Sequence, residues 1–194
     1  RRVRSARGRA LRNRADFERA EKDLRRAIEL SQSFEMKDVE GRAYGHLATL
    51  LWSRVKVVSA YDYYKKALAI HEELQDRTFI GISYYQLSLM NLEMGRFETA
   101  IELTKKSESI CRQESNHYFA AMVVHYRGYI LMAQGDMEHS YELLYSAHKE
   151  LEQHRSTSHY ASTHHSIGLY HHLCGQYEKA LTWYQKGVDI FAKT

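Results

Sequence analysis

Proline is absent from this chain of 194 residues, and glycine occurs only 10 times. Proline kinks helices and removes a backbone donor, so its absence leaves little to interrupt a helix and excludes a Pro-rich linker. The composition predicts an almost wholly helical protein. Cysteine is nearly as scarce. Cys111 and Cys174 are too few for a disulfide framework or a cysteine-based metal site and read as ordinary small apolar residues. No run of about 18 apolar residues is present, and the arginine-rich start has no apolar stretch behind it to act as a signal peptide. No membrane span is expected, and a cytoplasmic location is. Enzyme signatures are missing as well: there is no Gly-rich phosphate loop, no HExxH and no nucleophile elbow. Carboxylate pairs such as Glu72-Glu73 follow helix surfaces, so no catalysis is expected in this segment.

Charge is unevenly placed. Arg1, Arg2, Arg4, Arg7, Arg9, Arg12 and Arg14 crowd the first 14 residues without an acid among them, and the remainder holds 21 basic and 24 acidic residues. Such a patch can neutralise phosphates, but it has no interleaved aromatics and occupies one short stretch, so nucleic acid is not the expected ligand.

What the chain does contain is a repeat of 40 residues. Stepping from Ala100 reaches Ala20, Ala60, Ser140 and Ala180; seven residues further on stand Ala27, Ala67, Ser107, Ala147 and Gly187. Twelve residues before the first column stand Gly8, Ala48, Ser88, Gly128 and Gly168, and three before it the apolar anchors Phe17, Val57, Phe97, Met137 and Tyr177. Small residues at fixed offsets mark places where two helices pack too closely for larger side chains. The pattern predicts five helix-turn-helix units, at about 1–35, 37–75, 76–115, 117–155 and 157–194. In the first unit two helices are expected, over 2–14 and 17–34, the earlier one carrying Arg4 and Arg7 where unit two has Tyr44 and Leu47. Asp76, Ser115-Asn116 and Ser156-Thr157-Ser158 are expected to cap the helices that follow them.

The small residue in the first helix, the Gly95-Arg96-Phe97-Glu98-Thr99-Ala100 turn and the small residue seven on resemble a tetratricopeptide repeat (TPR) array of the 40-residue type. Val55 and Ala15 stand where the turn glycine would be in units two and one. The resemblance implies an all-α, right-handed superhelical α-solenoid of five repeats forming one domain. Lengthened units of this kind, such as Ala67 to Arg77 followed by Ile80-Gly81-Ile82, are similar to repeats in bacterial signalling proteins, beside helix-turn-helix, histidine-kinase or diguanylate-cyclase domains, and to those of animal spindle-orientation adaptors. A protein- or peptide-binding module, the sensory or regulatory region of a bacterial signal-transduction protein, is therefore expected. A passive scaffold or dimerisation segment is the alternative.

In TPR arrays the first, or A, helix of each repeat lines the concave face, and the resemblance implies a ligand stripe along it. Here that stripe includes Arg9 and Arg12, then Arg42, Gly45, Thr49 and Trp52, then Ile82, Tyr85 and Leu89. It continues through Met122, His125, Tyr129 and Met132 to His165 and His172. The result is a groove basic at its N-terminal end and aromatic or apolar beyond, suited to a peptide with apolar anchors and an acidic end. The lysines and asparagines with which co-chaperone TPRs clamp a C-terminal carboxylate are replaced by Tyr85, Gln86, Leu89, His125, Tyr126 and Tyr129, so that clamp is not expected.

Seven of the 12 histidines lie between 148 and 172: His148, His154, His159, His164, His165, His171 and His172. No two of them are four apart, as ligands on one helix face would be, so no metal and no cofactor is expected. Their joint titration near the ordinary imidazole value would turn this end strongly positive. The last unit stays apolar through Gly187, Val188, Ile190 and Phe191, where a terminal repeat normally turns polar. A further helix, or a homodimer through the C-terminal helix, is expected to cover it, and the start at Arg1-Arg2 reads as a cut from a longer protein.

Overall fold

The computed structural model describes residues 2–155 and 157–192, with side chains described from residue 16 onward. Among the described residues the regular elements are α-helices and one short 3-10 turn. They are α1 (Arg2–Ser33), α2 (Lys37–Ser53), α3 (Val57–Glu73), α4 (Arg77–Glu93), α5 (Phe97–Gln113), α6 (His117–Gln134), α7 (Met137–Leu151), α8 (Ser158–Leu173) and α9 (Tyr177–Phe191), with the 3-10 turn at Glu152–His154 before α8. Two compact units, Arg1–Met90 and Asn91–Thr194, divide within α4.

A left-handed residue recurs every twentieth position: Glu35, Val55, Gln75, Gly95, Ser115, Gly135 and Gly175 all have positive φ. Each closes the helix before it in the same way. After α2, the Val55 N–H donates to the Trp52 carbonyl at 2.8 Å and the Lys56 N–H to the Leu51 carbonyl at 3.0 Å, a paired bond that satisfies carbonyls the helix end leaves free. The same pair recurs after α4, where Gly95 bonds to Leu92 and Arg96 to Asn91. The series skips 155, where the 3-10 turn intervenes.

It also skips Ala15, and here the expectation of two separate helices fails: α1 runs unbroken from Arg2 to Ser33. Alanine, the best helix former, stands at 15 where the other reversals have glycine or poorer helix formers such as Val55 and Ser115, and the helix continues through it. The cap expectations fare better. Asp76 Oδ1 accepts from the Phe79 N–H at 3.1 Å, Asn116 Oδ1 from Phe119 at 3.1 Å and Thr157 Oγ1 from Tyr160 at 3.3 Å, while Ser156 lies outside the described residues.

The small columns sit where helices cross. In the first unit Ala48, Ala60 and Ala67 are completely buried, around Leu47, Leu51 and Tyr64. The second unit buries Ser140, Ala147 and Ala180 with Leu144, Leu151 and Ile167. Each fully buried leucine or isoleucine contributes roughly 1.5–3 kcal/mol of transfer free energy, which the small neighbours make reachable by close helix approach. Cys111 belongs to this interior, but Cys174 is exposed at the end of α8, a departure from the apolar role expected of it.

Candidate functional site

In the first unit, α2 and α4 carry the A-helix stripe, and between them lies a cleft of about 150 Å³. Gly41, Arg42, Gly45 and His46 of α2 face Phe79, Ile82 and Gln86 of α4 across it, with His71 of α3 at its base. The structure thus brings together three stripe positions, Arg42, Gly45 and Ile82. Arg42 is exposed and its Nη2 donates to Asp38 Oδ2 at 2.8 Å. Trp52 and Tyr85 are half-buried, and burial pushes the Tyr85 phenol up to about 12. The side chains of Arg9 and Arg12 lie outside the described residues.

His71 was not among the expected site residues. It is 5% exposed, its Nδ1 lies 2.9 Å from Ser83 Oγ, and its ring packs on Phe79 at 5.1 Å between centroids. Its Nε2 is buried without a hydrogen-bond partner. Burial pulls its pKa down, opposed by the Asp76 charge and reinforced by Arg42. A signal existed in the repeat. The positions one or two 40-residue repeats away are Ser31, Cys111 and Leu151, all buried, so an imidazole stands in a core column. Gly41 belongs to another column, with Gly81, Ala121 and Ala161. In the second unit the matching pair, Ala121 and Leu151, closes into an apolar cluster with Tyr160.

In the second unit the stripe is less open. Met122 and Met132 are buried there, and Leu89 is buried in the first unit, so these three serve packing rather than a ligand surface, which corrects their assignment to the groove. Their apolar side chains gain more from the interior than from a wet face. His125 Nε2 lies 2.9 Å from Ser166 Oγ, and burial lowers its pKa to about 4. Tyr129 is half-buried and stacks on Tyr126 at 6.1 Å. His165 and His172 are exposed, resting against Tyr184 at 5.6 Å and Tyr177 at 5.4 Å.

The joint titration expected of the C-terminal histidines is also corrected. Burial lowers His148 to about 4 and shifts His159 and His164 downward too. These rings are aromatic packing pieces: His148 stacks on Tyr160 at 5.0 Å and meets Trp183 edge-on at 5.2 Å. Among the described residues no group of three or more His, Cys, Asp or Glu side chains is arranged to hold a metal ion. None of the described helices is long and apolar enough to cross a membrane. Along α9, Tyr177, Leu181, Val188 and Phe191 are exposed at helical spacing.

Helical hairpins with a 20-residue turn period and small residues at each crossing define an all-α repeat solenoid. Comparison with known proteins agrees. Two family models, each described as tetratricopeptide repeat, match residues 2–33 and 161–194. No curated protein matches the chain by sequence. Solved structures do match its fold. BtubC (BKLC) from P. vanneervenii is 18% identical with a TM-score of 0.77, over 94% of this chain and 76% of its own. TPR-like repeats of a putative kinesin light chain from Podosopora anserina are 17% identical with a TM-score of 0.71, over 99% and 95%. A Rap protein complexed with competence and sporulation factor is 14% identical with a TM-score of 0.68, over 89% of this chain and 58% of that one. The fold is a tetratricopeptide repeat array.

Proposed function

We propose that this chain is a protein- or peptide-binding module of five repeats acting as one domain, and that the exposed A-helix positions receive the ligand. The observation that carries the reading is the cleft of the first unit, where Arg42, Gly45 and Ile82 of the A helices surround an open hollow rather than a packed seam. The Rap protein complexed with competence and sporulation factor, similar in fold, supports a binding role for such an array. The lengthened 40-residue units favour the sensory or regulatory region of a cytoplasmic bacterial signal-transduction protein. Catalysis would then reside in an attached diguanylate cyclase, kinase or transcription regulator. The exposed apolar row on α9 favours a second reading, a scaffold that pairs with another copy through this helix.

One comparison separates the two. A Cβ at Gly45 would meet nothing within 4 Å, so the backbone there accepts a side chain, and Gly45→Trp is expected to obstruct the cleft. A partner captured from lysate of the source cells by the wild type, and lost by folded Gly45→Trp and His165→Asp variants, supports ligand binding. Equal capture by both, with self-association in sedimentation velocity that Leu181→Glu/Val188→Glu abolishes, supports the scaffold instead.

A further inference from the structure

We infer that α1 is one half of an exchanged pair: residues 2–14 of one copy cover the open face of α1 in a second copy, and the second copy returns the same segment. The inference goes beyond the peptide-binding reading and uses a different surface from the apolar row on α9.

The starting point is a helix face left half-covered. On α3, α5, α7 and α9 the two small columns of the hairpin's second helix are buried, as at Ala60 and Ala67. On α1 the same columns, Ala20 and Ala27, are only half-buried, and so is Leu24, although Tyr64 and Leu144 in its column are fully buried. A hollow of about 350 Å³ opens beside them, lined by Asp16, Phe17, Ala20 and Leu50. A hairpin would bring the preceding helix over this face. Here α1 runs unbroken from Arg2 to Ser33, so the preceding residues point away along the same axis. At about 1.5 Å per residue, Gly8 stands roughly 24 Å from Leu24.

The helix that fits this face is written in the chain itself. The family match over residues 2–33 is long enough to hold both helices of one repeat. The columns agree with it. In other hairpins a Cβ at Gly128 would press on Leu144 and one at Gly168 on Tyr184, and the same two columns hold Gly8 and Leu24 in the first repeat. Tyr44 stacks on Tyr63 at 5.8 Å and His164 lies against Trp183 at 5.4 Å. In the first repeat those two columns hold Arg4 and Asp23, opposite charges in place of an aromatic pair, and Asp23 is exposed. Such complementarity selects the arginine-rich segment as the occupant. Since the segment cannot reach its own face, a second copy supplies it. Two α1 helices running antiparallel about a two-fold axis near Ala15 place each Gly8 on the other copy's Leu24, and an exchanged element of this kind is a low-cost route to a dimer.

The test uses the 194-residue chain with Gly8→Cys and Leu24→Cys in a Cys174→Ser background, oxidised and run on a non-reducing gel. The matching columns approach closely at Gly128 and Leu144, so a disulfide reports that the two segments pack together. A covalent dimer is expected, with positions 8 and 24 found in the linked peptides by mass spectrometry. A cross-linked monomer, in which the chain folds back on itself, or no cross-link overturns the exchange. Sedimentation velocity of the chain without added cysteines, over the micromolar range, is expected to show dimers. Arg4→Asp or Asp23→Arg should each weaken them about tenfold, and the two together should restore them. Leu181→Glu/Val188→Glu should leave this association unchanged. A monomeric wild type, or association lost with the α9 variant and kept by Asp23→Arg, overturns the exchange as well. Should Leu24→Cys not fold by circular dichroism, the charge reversals still decide. A partner lost by Gly45→Trp while the wild type is monomeric would leave peptide binding standing and remove only the exchanged pair.

Discussion

Gly128 on α6 lies so close to Leu144 on α7 that a Cβ at 128 would meet Leu144 Cγ at 3.0 Å and its backbone nitrogen at 3.1 Å. The contact is locked from the other side by Ser140, whose Oγ donates to the Gly128 carbonyl at 2.8 Å. Neither neighbour has room to retreat, because Leu144 and Ser140 are both fully buried. Gly128→Ala is expected to destabilise by about 1–3 kcal/mol, as overpacking does, despite alanine's better helix propensity. Gly45→Ala, in open space, should instead stabilise by about 0.5–1 kcal/mol. Thermal and urea unfolding of the two variants read the signs; like signs would refute the close-crossing account.

Val55 is the β-branched member of the left-handed series, with φ of 60° and 83% exposure. Its side chain gains little from burial there, and the conformation costs roughly 1–2 kcal/mol for a residue with a Cβ. Val55→Gly should therefore stabilise the first unit by about 1 kcal/mol. A Tm that falls on this substitution would mean the valine makes a contact worth more than the strain.

Acid should unfold this protein through its histidines. His125 and His148 titrate at about 4 in the folded chain against 6.5 ordinarily, both because of burial, and His71, His159 and His164 are shifted the same way. The unfolded chain binds these protons first, so stability is complete above about pH 6.5 and falls as pH drops toward 4. For His125 and His148 the loss is about 2 kcal/mol each after allowance for solvent screening. Urea unfolding at a series of pH values measures it, and His125→Asn should flatten the curve. Stability that does not change between neutral pH and about pH 5 would contradict the buried neutral state.

The cap at the start of α6 offers a local test. Asn116 Oδ1 accepts from the Phe119 N–H, one of the donors that a helix start leaves unpaired. Asn116→Ala should cost about 1 kcal/mol and Asn116→Ser should recover most of it. Equal losses for both would place the role of Asn116 outside capping.

A half-buried charge gives a further measurement in the second unit. Burial raises the Glu108 carboxyl, but hydrogen bonds from Arg112 at 2.8 Å and Arg127 at 2.7 Å outweigh it, and the net shift is downward. Glu108→Gln should cost about 1–2 kcal/mol at neutral pH, and the deficit should shrink as pH falls through the carboxylate range. A deficit that persists unchanged in acid would assign the effect to packing.

The repeat was legible in the sequence because it is a local matter. Spacings of 12 and seven residues among Ala48, Ala60 and Ala67, repeated every 40 residues, state where helices cross, and Asp76 and Asn116 announce helix starts through chemistry reaching only three residues along the chain. The reversals at Val55 and Gln75 follow the same 20-residue rhythm although neither is glycine, since the paired bonds that close each helix outweigh the local preference. At Ala15 the same rhythm predicts a break that does not occur, because alanine continues the helix more readily than valine does.

Burial could not be read the same way. Along one stripe of helix A, Arg42 and Gly45 face an open cleft while Leu89, Met122 and Met132 sink into the interior, because a ligand stripe and a packing stripe share one helical period. The histidines lost their shared titration for a similar reason: desolvation is set by neighbours such as Tyr160 and Trp183, brought in from other helices. The sequence by itself determined the repeat, its turns and its caps. Only the tertiary structure decided that Gly41 and His71, 30 positions apart, pack so closely that the imidazole Nε2 is buried without a partner, since that depends on how two helices meet.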